Sequence, residues 1–316
     1  MKSRIPGFDW LRVVAAFAIV AFHITPYKGI ANELAFSWAV PFFFALSGYL
    51  NGASRTYSEP GWLRARLLRL AVPYAIWTTL RLVDLRPLTP VNLLKQYLLC
   101  APTSTLWFLW TLMLCVGAVW LARRVASTRT VAIASVAIGI AYVGLLEWWQ
   151  IFGGTGAWLH ANPGYALQAP MLWLWVYALG MLAAERPSPQ PALGLAALAA
   201  GVALMVGWRV DPALGYNFSW GVQGIAHGLL GLGTVLMARW APLPENRVVA
   251  TLATASLGVY LIHPAFIRVV HIAAGRIPVL GWVSTHAFVM WALVSVVSVA
   301  LAVVLERGKI TRWIVA

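Results

Sequence analysis

Apolar runs of about twenty residues, each closed by arginine, proline or glycine, recur along this chain of 316 residues, and nothing else in it constrains the fold so tightly. They fall at about residues 8–26, 34–52, 68–83, 105–121, 130–150, 167–184, 191–208, 218–238, 248–270 and 282–305. A soluble core cannot bury so much, because 61% of the residues are apolar and only 10% are charged. A bilayer can, since each crossing absorbs about 20 mostly apolar residues. The mean hydropathy of +0.78 agrees. The expected class is all-α: a polytopic integral membrane protein with about ten transmembrane helices in a single domain over residues 1–316. Disordered, collagenous and disulfide-scaffold chains are excluded, as is an ordinary water-soluble enzyme.

The formal charge of +14 would point to a nucleic-acid partner on a soluble protein. Here the basic residues sit between the apolar runs, where they fix orientation and meet anionic lipid. An amino terminus in the cytoplasm places sixteen of the 23 Lys and Arg on that side, among them Arg55, Arg64, Arg66, Arg69, Arg123, Arg124, Arg129 and Arg247. Both termini are therefore expected inside. Trp62, Trp107, Trp148, Trp240 and Trp282 fall near span ends, as an interfacial belt requires. Cys100 and Cys115 form no CxxC, and no His spacing makes a zinc site, so no metal is expected. The opening run carries Arg12 and ends at His23 without a small-residue cleavage signal, and reads as a retained first helix.

Ionisable groups inside hydrocarbon cost several kcal/mol, so each asks for a reason. Arg12 and His23 are eleven residues apart, which brings them within about 20° of one face and ~16 Å apart along it. Asp9, one turn before Arg12, is placed to hold its guanidinium. The bland alternatives are a snorkelling interface charge for Arg12 and a helix-packing hydrogen bond for His23. In SLGVYLIHP, residues 256–264, His263 lies at a depth close to that of His23, so two imidazoles are expected at one outward-facing cavity. His227, His271 and His286 lack a companion motif and read as packing residues. His160 lies in a turn-rich loop at 151–166, read as outward-facing. In the second span Ser47, Gly48 and Tyr49 point toward the cytoplasm, followed by Arg66 and Arg69 on neighbouring helical positions. Positive-inside topology explains those arginines in part. Phosphate capture is the alternative, because guanidinium forks bind phosphate oxygens bidentately. No P-loop or dinucleotide-binding glycine motif is present.

Arg12-x10-His23, FFFALSGYL at 42–50, Arg66-x-x-Arg69, LWFL at 106–109 and VYLIHP at 259–264 together resemble the membrane-bound acyltransferase 3 family, bacterial integral-membrane O-acyltransferases that decorate surface glycans. The wording is similar to its fucose O-acetylase-like short branch, since the chain stops about ten residues after the last span, with no appended extracytoplasmic hydrolase-like domain. The resemblance implies an acyl-CoA donor, acetyl-CoA by default, approached from the cytoplasm as a substrate with no permanently bound cofactor. It implies acyl transfer to a hydroxyl of a surface or lipid-linked carbohydrate, in the inner membrane of a bacterium.

Carried over, His23 is the catalytic histidine, Arg12 its essential partner, and Arg66 and Arg69 the donor-binding arginines, with Ser47 and Tyr49 beside them. His263, Tyr260 and His160 are expected on the acceptor side. Ser47, Tyr260 and His263 are candidate donors to the oxyanion. Acyl-CoA, the glycan and membrane lipid are the expected partners, and nucleic acid is not. A transporter or flippase with a polar His/Arg pathway is the main rival. A membrane scaffold whose polar residues only glue helices is a third reading.

Overall fold

A computed structural model describes residues 4–24, 30–81, 89–98, 105–148, 158–159, 162–210, 220–309 and 311–315. Among these residues every regular element is a helix. In chain order they are α1 (Pro6–Ile24), α2 (Ile30–Phe36), α3 (Ala39–Gly52), α4 (Trp62–Arg81), α5 (Pro90–Leu98), α6 (Trp107–Ala122), α7 (Thr128–Glu147) and α8 (Pro163–Gln168). They continue with α9 (Pro170–Glu185), α10 (Pro191–Val210), α11 (Trp220–Trp240), α12 (Arg247–Thr254), α13 (Ser256–Ala274), α14 (Pro278–Thr285), α15 (Ala287–Arg307) and α16 (Arg312–Val315). Seven helical stretches are long and apolar enough to cross a membrane: α1, Ala31–Gly52, α7, Gly164–Glu185, Gly221–Trp240, α13 and α15. Trp107–Ala122 and Pro191–Gly207 are shorter apolar helices. An all-α polytopic membrane protein is what these helices make.

Helix starts follow local chemistry. Pro163, Pro170, Pro191 and Pro278 each open a helix, where the missing amide proton costs nothing. Ser127 caps α7 by accepting from the amide of Thr130, and Asn246 caps α12 by accepting from those of Val248 and Val249. Gly61, at φ 85°, makes the turn before α4. Three expected spans are broken. Residues 34–52 turn at Ser37–Trp38, residues 248–270 turn at Ala255, and residues 282–305 turn at His286. Hydropathy sums over a window and does not register a turn whose residues are themselves apolar or small. The expected outer loop at 84–104 contains a helix, α5.

The described residues divide into two compact units. In the first, residues 1–39 and 241–316, α1 packs on α12, α13 and α15, and α13 packs on α14 and α15. The indole of Trp291 donates to the carbonyl of Phe17 at 3.1 Å and fixes α15 to the middle of α1. His271 and His286 are exposed here, correcting their reading as packing residues.

In the second unit, residues 40–240, α9 lies against α6, α7 and α11, and α10 pairs with α11 along most of its length. Small residues permit the close crossings, as expected where lipid supplies no hydrophobic drive between helices. Gly224 and Gly228 of α11 sit against Leu172 and the Trp175 ring of α9. The crossing of α3 and α9 is tighter still. A methyl group on Gly48 would overlap the carbonyl oxygen of Tyr177, and one on Gly180 would overlap that of Ala45. The ALSG stretch of FFFALSGYL is thus a backbone-to-backbone contact. Phe44 of the same motif stacks on Trp173 at 5.4 Å, and the half-buried Trp107 lies 5.9 Å from Trp173. Trp148, at 62% exposure, keeps the belt reading.

Gly48→Ala and Gly180→Ala are each expected to cost about 1–3 kcal/mol by overpacking, read as a lower melting temperature in detergent. Gly117→Ala, where a methyl group meets nothing within 4 Å, is expected to leave it unchanged or raised. Equal melting temperatures for all three variants would mean that α3 and α9 do not cross at these glycines.

Candidate functional site

The last turn of α1 brings His23 beside His263, in the first turns of α13. Their ring centres are 4.9 Å apart. Residues 240 apart in sequence meet because α1 packs lengthwise on α13. Their environments differ: the His23 side is exposed, whereas His263 is fully buried at 0%. Tyr260, one turn before His263 and also buried, has its ring centre 6.1 Å away.

Each imidazole is tethered by its own helix. His23 Nδ1 lies 2.8 Å from the carbonyl oxygen of Ile19, and His263 Nδ1 lies 3.1 Å from that of Val259. A carbonyl oxygen only accepts, so both Nδ1 atoms must be the donors. The proton of the neutral ring then sits on Nδ1, and Nε2 carries the lone pair. The i to i−4 spacing that makes this possible is that of the α-helix itself. Both histidines therefore present a basic Nε2, which is the nitrogen a general base uses. In this form His263 has no ring proton left for an oxyanion.

Arg12 lies eleven residues before His23, half-buried on α1. The expected clamp from Asp9 is corrected by the structure. Arg4 takes both oxygens of Asp9, through Nε and through Nη2 at 3.2 Å, and also donates to the carbonyl of Ala250 at 3.0 Å. That ion pair keeps the Arg4 guanidinium above its ordinary value. Asp9 is only 8% exposed and sits in the first turn of α1, where Arg4 reaches it from the preceding residues. Glu306, at the end of α15, is a carboxylate within electrostatic reach of Arg12. A cleft of about 300 Å³ opens beside Arg4, Asp9, Trp10, Glu245 and Arg247, at the other end of α1 from His23.

The second unit holds the arginine pair. Arg66 is half-buried and Arg69 exposed on the first turns of α4. The Nε of Arg66, the hydroxyl of Tyr57 and the Nε of Arg123 are buried without a hydrogen-bond partner among the described residues. Burial pushes the Tyr57 phenol up to about 12, against the opposing pull of Arg123 and Arg124. Arg66 and Tyr57 both interact electrostatically with Tyr177, whose hydroxyl accepts from Asn51 at 2.6 Å. Buried donors lacking acceptors cost about 1–3 kcal/mol each, and an anion between them would remove that cost.

Ser47 lies half-buried on α3 in this unit, and Tyr49 is buried under the Arg239 guanidinium, 5.6 Å from its ring centre. Arg239 is otherwise spent on the carbonyls of Ala183, Arg186 and Pro187. Tyr49 thus lies beside the carbonyls that Arg239 holds. His160 lies outside the described residues. Asn51, Tyr57, Arg123 and Tyr177 were not singled out from sequence, because no spacing links residues 126 apart on separate helices.

Histidine-selective ¹⁵N NMR of the detergent-solubilised protein, assigned with His23→Gln and His263→Gln, is expected to show both neutral rings protonated at Nδ1. Signals from the Nε2-protonated form at either position would refute the carbonyl tethers.

No curated protein and no solved structure matches the chain. A family model described as an acyltransferase domain (Acyl_transf_3) matches residues 5–307, nearly the whole chain, and includes α1, the arginine pair of α4 and the histidine of α13. This multi-pass chain belongs to the membrane acyltransferase 3 family.

Proposed function

We propose that the protein is an O-acyltransferase of the bacterial cytoplasmic membrane, with both termini inside, that moves an acetyl group from cytosolic acetyl-CoA to a hydroxyl of a surface or lipid-linked carbohydrate. The observation that carries this reading is an exposed His23 whose Nδ1 donates to the Ile19 carbonyl, so that in the neutral ring Nε2 carries the lone pair a general base needs. An alcohol is a poor nucleophile until a base takes its proton, and imidazole does so near neutral pH without a metal.

In this reading His23 Nε2 removes the acceptor's hydroxyl proton as the oxygen attacks the thioester carbonyl. The C–O bond forms, the C–S bond breaks, and the coenzyme thiolate recovers the proton from His23. Tyr260 supplies a hydroxyl toward the developing oxyanion. Arg12, balanced by Glu306, neutralises negative charge arriving along α1. Arg66 and Arg69 hold the donor's phosphates, with Tyr57 and Arg123 as further donors, in keeping with the buried, unsatisfied groups of Arg66, Tyr57 and Arg123. Ser47 and His160 stay as candidate contacts to donor and acceptor.

Membranes carrying the protein, supplied with radiolabelled acetyl-CoA and the host's own lipid-linked and surface glycans, provide the test. Label should enter the glycan fraction with release of one free thiol per acetyl group. His23→Ala should lower transfer by about 10²–10⁴-fold, the usual contribution of a general base, while the protein still accumulates and melts normally. Arg66→Gln with Arg69→Gln should raise the acetyl-CoA concentration needed for half-maximal rate, with kcat little changed. Solute movement without thiol release would instead establish a transporter. Full transfer by His23→Ala would remove His23 from the mechanism.

A further inference from the structure

We propose that His263 is a positioning residue that receives the hydrogen bond of protonated His23, so that the two imidazoles hold a single proton between them during turnover; this rests on the acyl-transfer reading above. The geometry that points to it is independent of that reading. Two rings lie with centres 4.9 Å apart, and each has its Nδ1 proton committed to a carbonyl of its own helix. At that separation, facing nitrogens of the two rings can come within hydrogen-bond length, about 2.9 Å. While both rings are neutral, neither Nε2 has a proton to give.

Protonation changes this. When His23 Nε2 takes the hydroxyl proton, it becomes an N–H donor on a cation, beside the buried ring of His263. The nitrogen lone pair of His263 is the acceptor at hand, and an N–H···N bond to it spreads the charge over two rings. A hydrogen bond to a charged group is worth about 1.5–3 kcal/mol, or roughly 10- to 100-fold in rate. A second proton is disfavoured, because two imidazolium ions at this distance repel. The proton then returns from His23 Nε2 to the leaving thiolate. His263 ends the cycle as it began, with no net gain or loss.

Burial assigns the roles. At 0% exposure His263 offers no surface to an acceptor sugar, so it acts through the exposed His23. The carbonyl of Val259 prevents the buried ring from turning its Nδ1 proton toward His23. Tyr260 flanks His263 from the same helix and belongs to the same small cluster.

The test has two arms. In the first, ¹⁵N-histidine NMR of the solubilised protein without substrate follows both rings as the pH is lowered. The signals of His23 and His263 are expected to shift together over the first protonation step. Separate, independent steps would overturn the proposal whatever reaction the protein catalyses.

In the second, the transfer assay compares His263→Gln, whose amide oxygen can accept the N–H, with His263→Leu, which cannot. His263→Leu is expected to lose about 10- to 100-fold in kcat with the KM for acetyl-CoA unchanged, and His263→Gln to regain most of that loss. Equal impairment of both variants would overturn the proposal. Where His263→Leu does not accumulate, full activity retained by His263→Ala would overturn it equally well, and joint titration in the first arm would support it. Absence of transfer from the wild-type protein alongside joint titration would count against the acyl-transfer reading alone.

Discussion

Hydrocarbon offers no hydrogen bonds, and the polar groups on the described membrane-spanning helices are placed under that constraint. The backbone meets it by folding into helices throughout the described residues. Side chains meet it by returning to the backbone: His23, His263, Thr79, Thr234, Thr251 and Thr254 all bond a carbonyl four residues earlier. In a soluble enzyme such a bond competes with water for little gain. Here it is what allows an imidazole to stay in an apolar surround, and it has a chemical by-product: it decides which ring nitrogen is basic. The site therefore inherits its reactivity from the same rule that shapes the fold.

Close crossings are the second consequence. With lipid as apolar as leucine, helices gain by approaching until their backbones touch. Gly48 against Tyr177 and Gly180 against Ala45 are such points, and they explain why a motif wedged between aromatic residues contains a small, flexible residue at its centre. The aromatic side chains then fill the space the glycines leave open, with Phe44, Trp107, Phe108 and Trp173 in mutual contact. A motif that marks the family is here mostly architecture.

Much of this was legible in the sequence, and the reasons for the remainder are specific. Hydropathy located helices under every expected span because burial in lipid scales with apolar surface. The depth argument for His23 and His263 anticipated that the two rings would meet, since 1.5 Å per residue is a reliable ruler along a helix. Local pairing was less legible. Asp9 was assigned to Arg12 on spacing alone, yet Arg4 reaches back over the helix start and takes both carboxylate oxygens. Glu306 reaches Arg12 from the other end of the chain, and Asn51 finds Tyr177 across 126 residues. Such partners are set by tertiary packing, which no periodicity encodes. The turns at Ala255 and His286 escaped notice because a window sum is dominated by the long apolar runs on either side of them.

The carbonyl tether carries one more implication. Enzymes in water commonly aim a histidine with an aspartate, which stabilises the cation that forms but brings a permanent negative charge with it. In a membrane that escort would need its own counter-ion and a path for water. A peptide oxygen aims the ring with a dipole alone and asks for neither. At His23 and His263 the ring is aimed in this way, and the carbonyl that holds it adds no formal charge beside it.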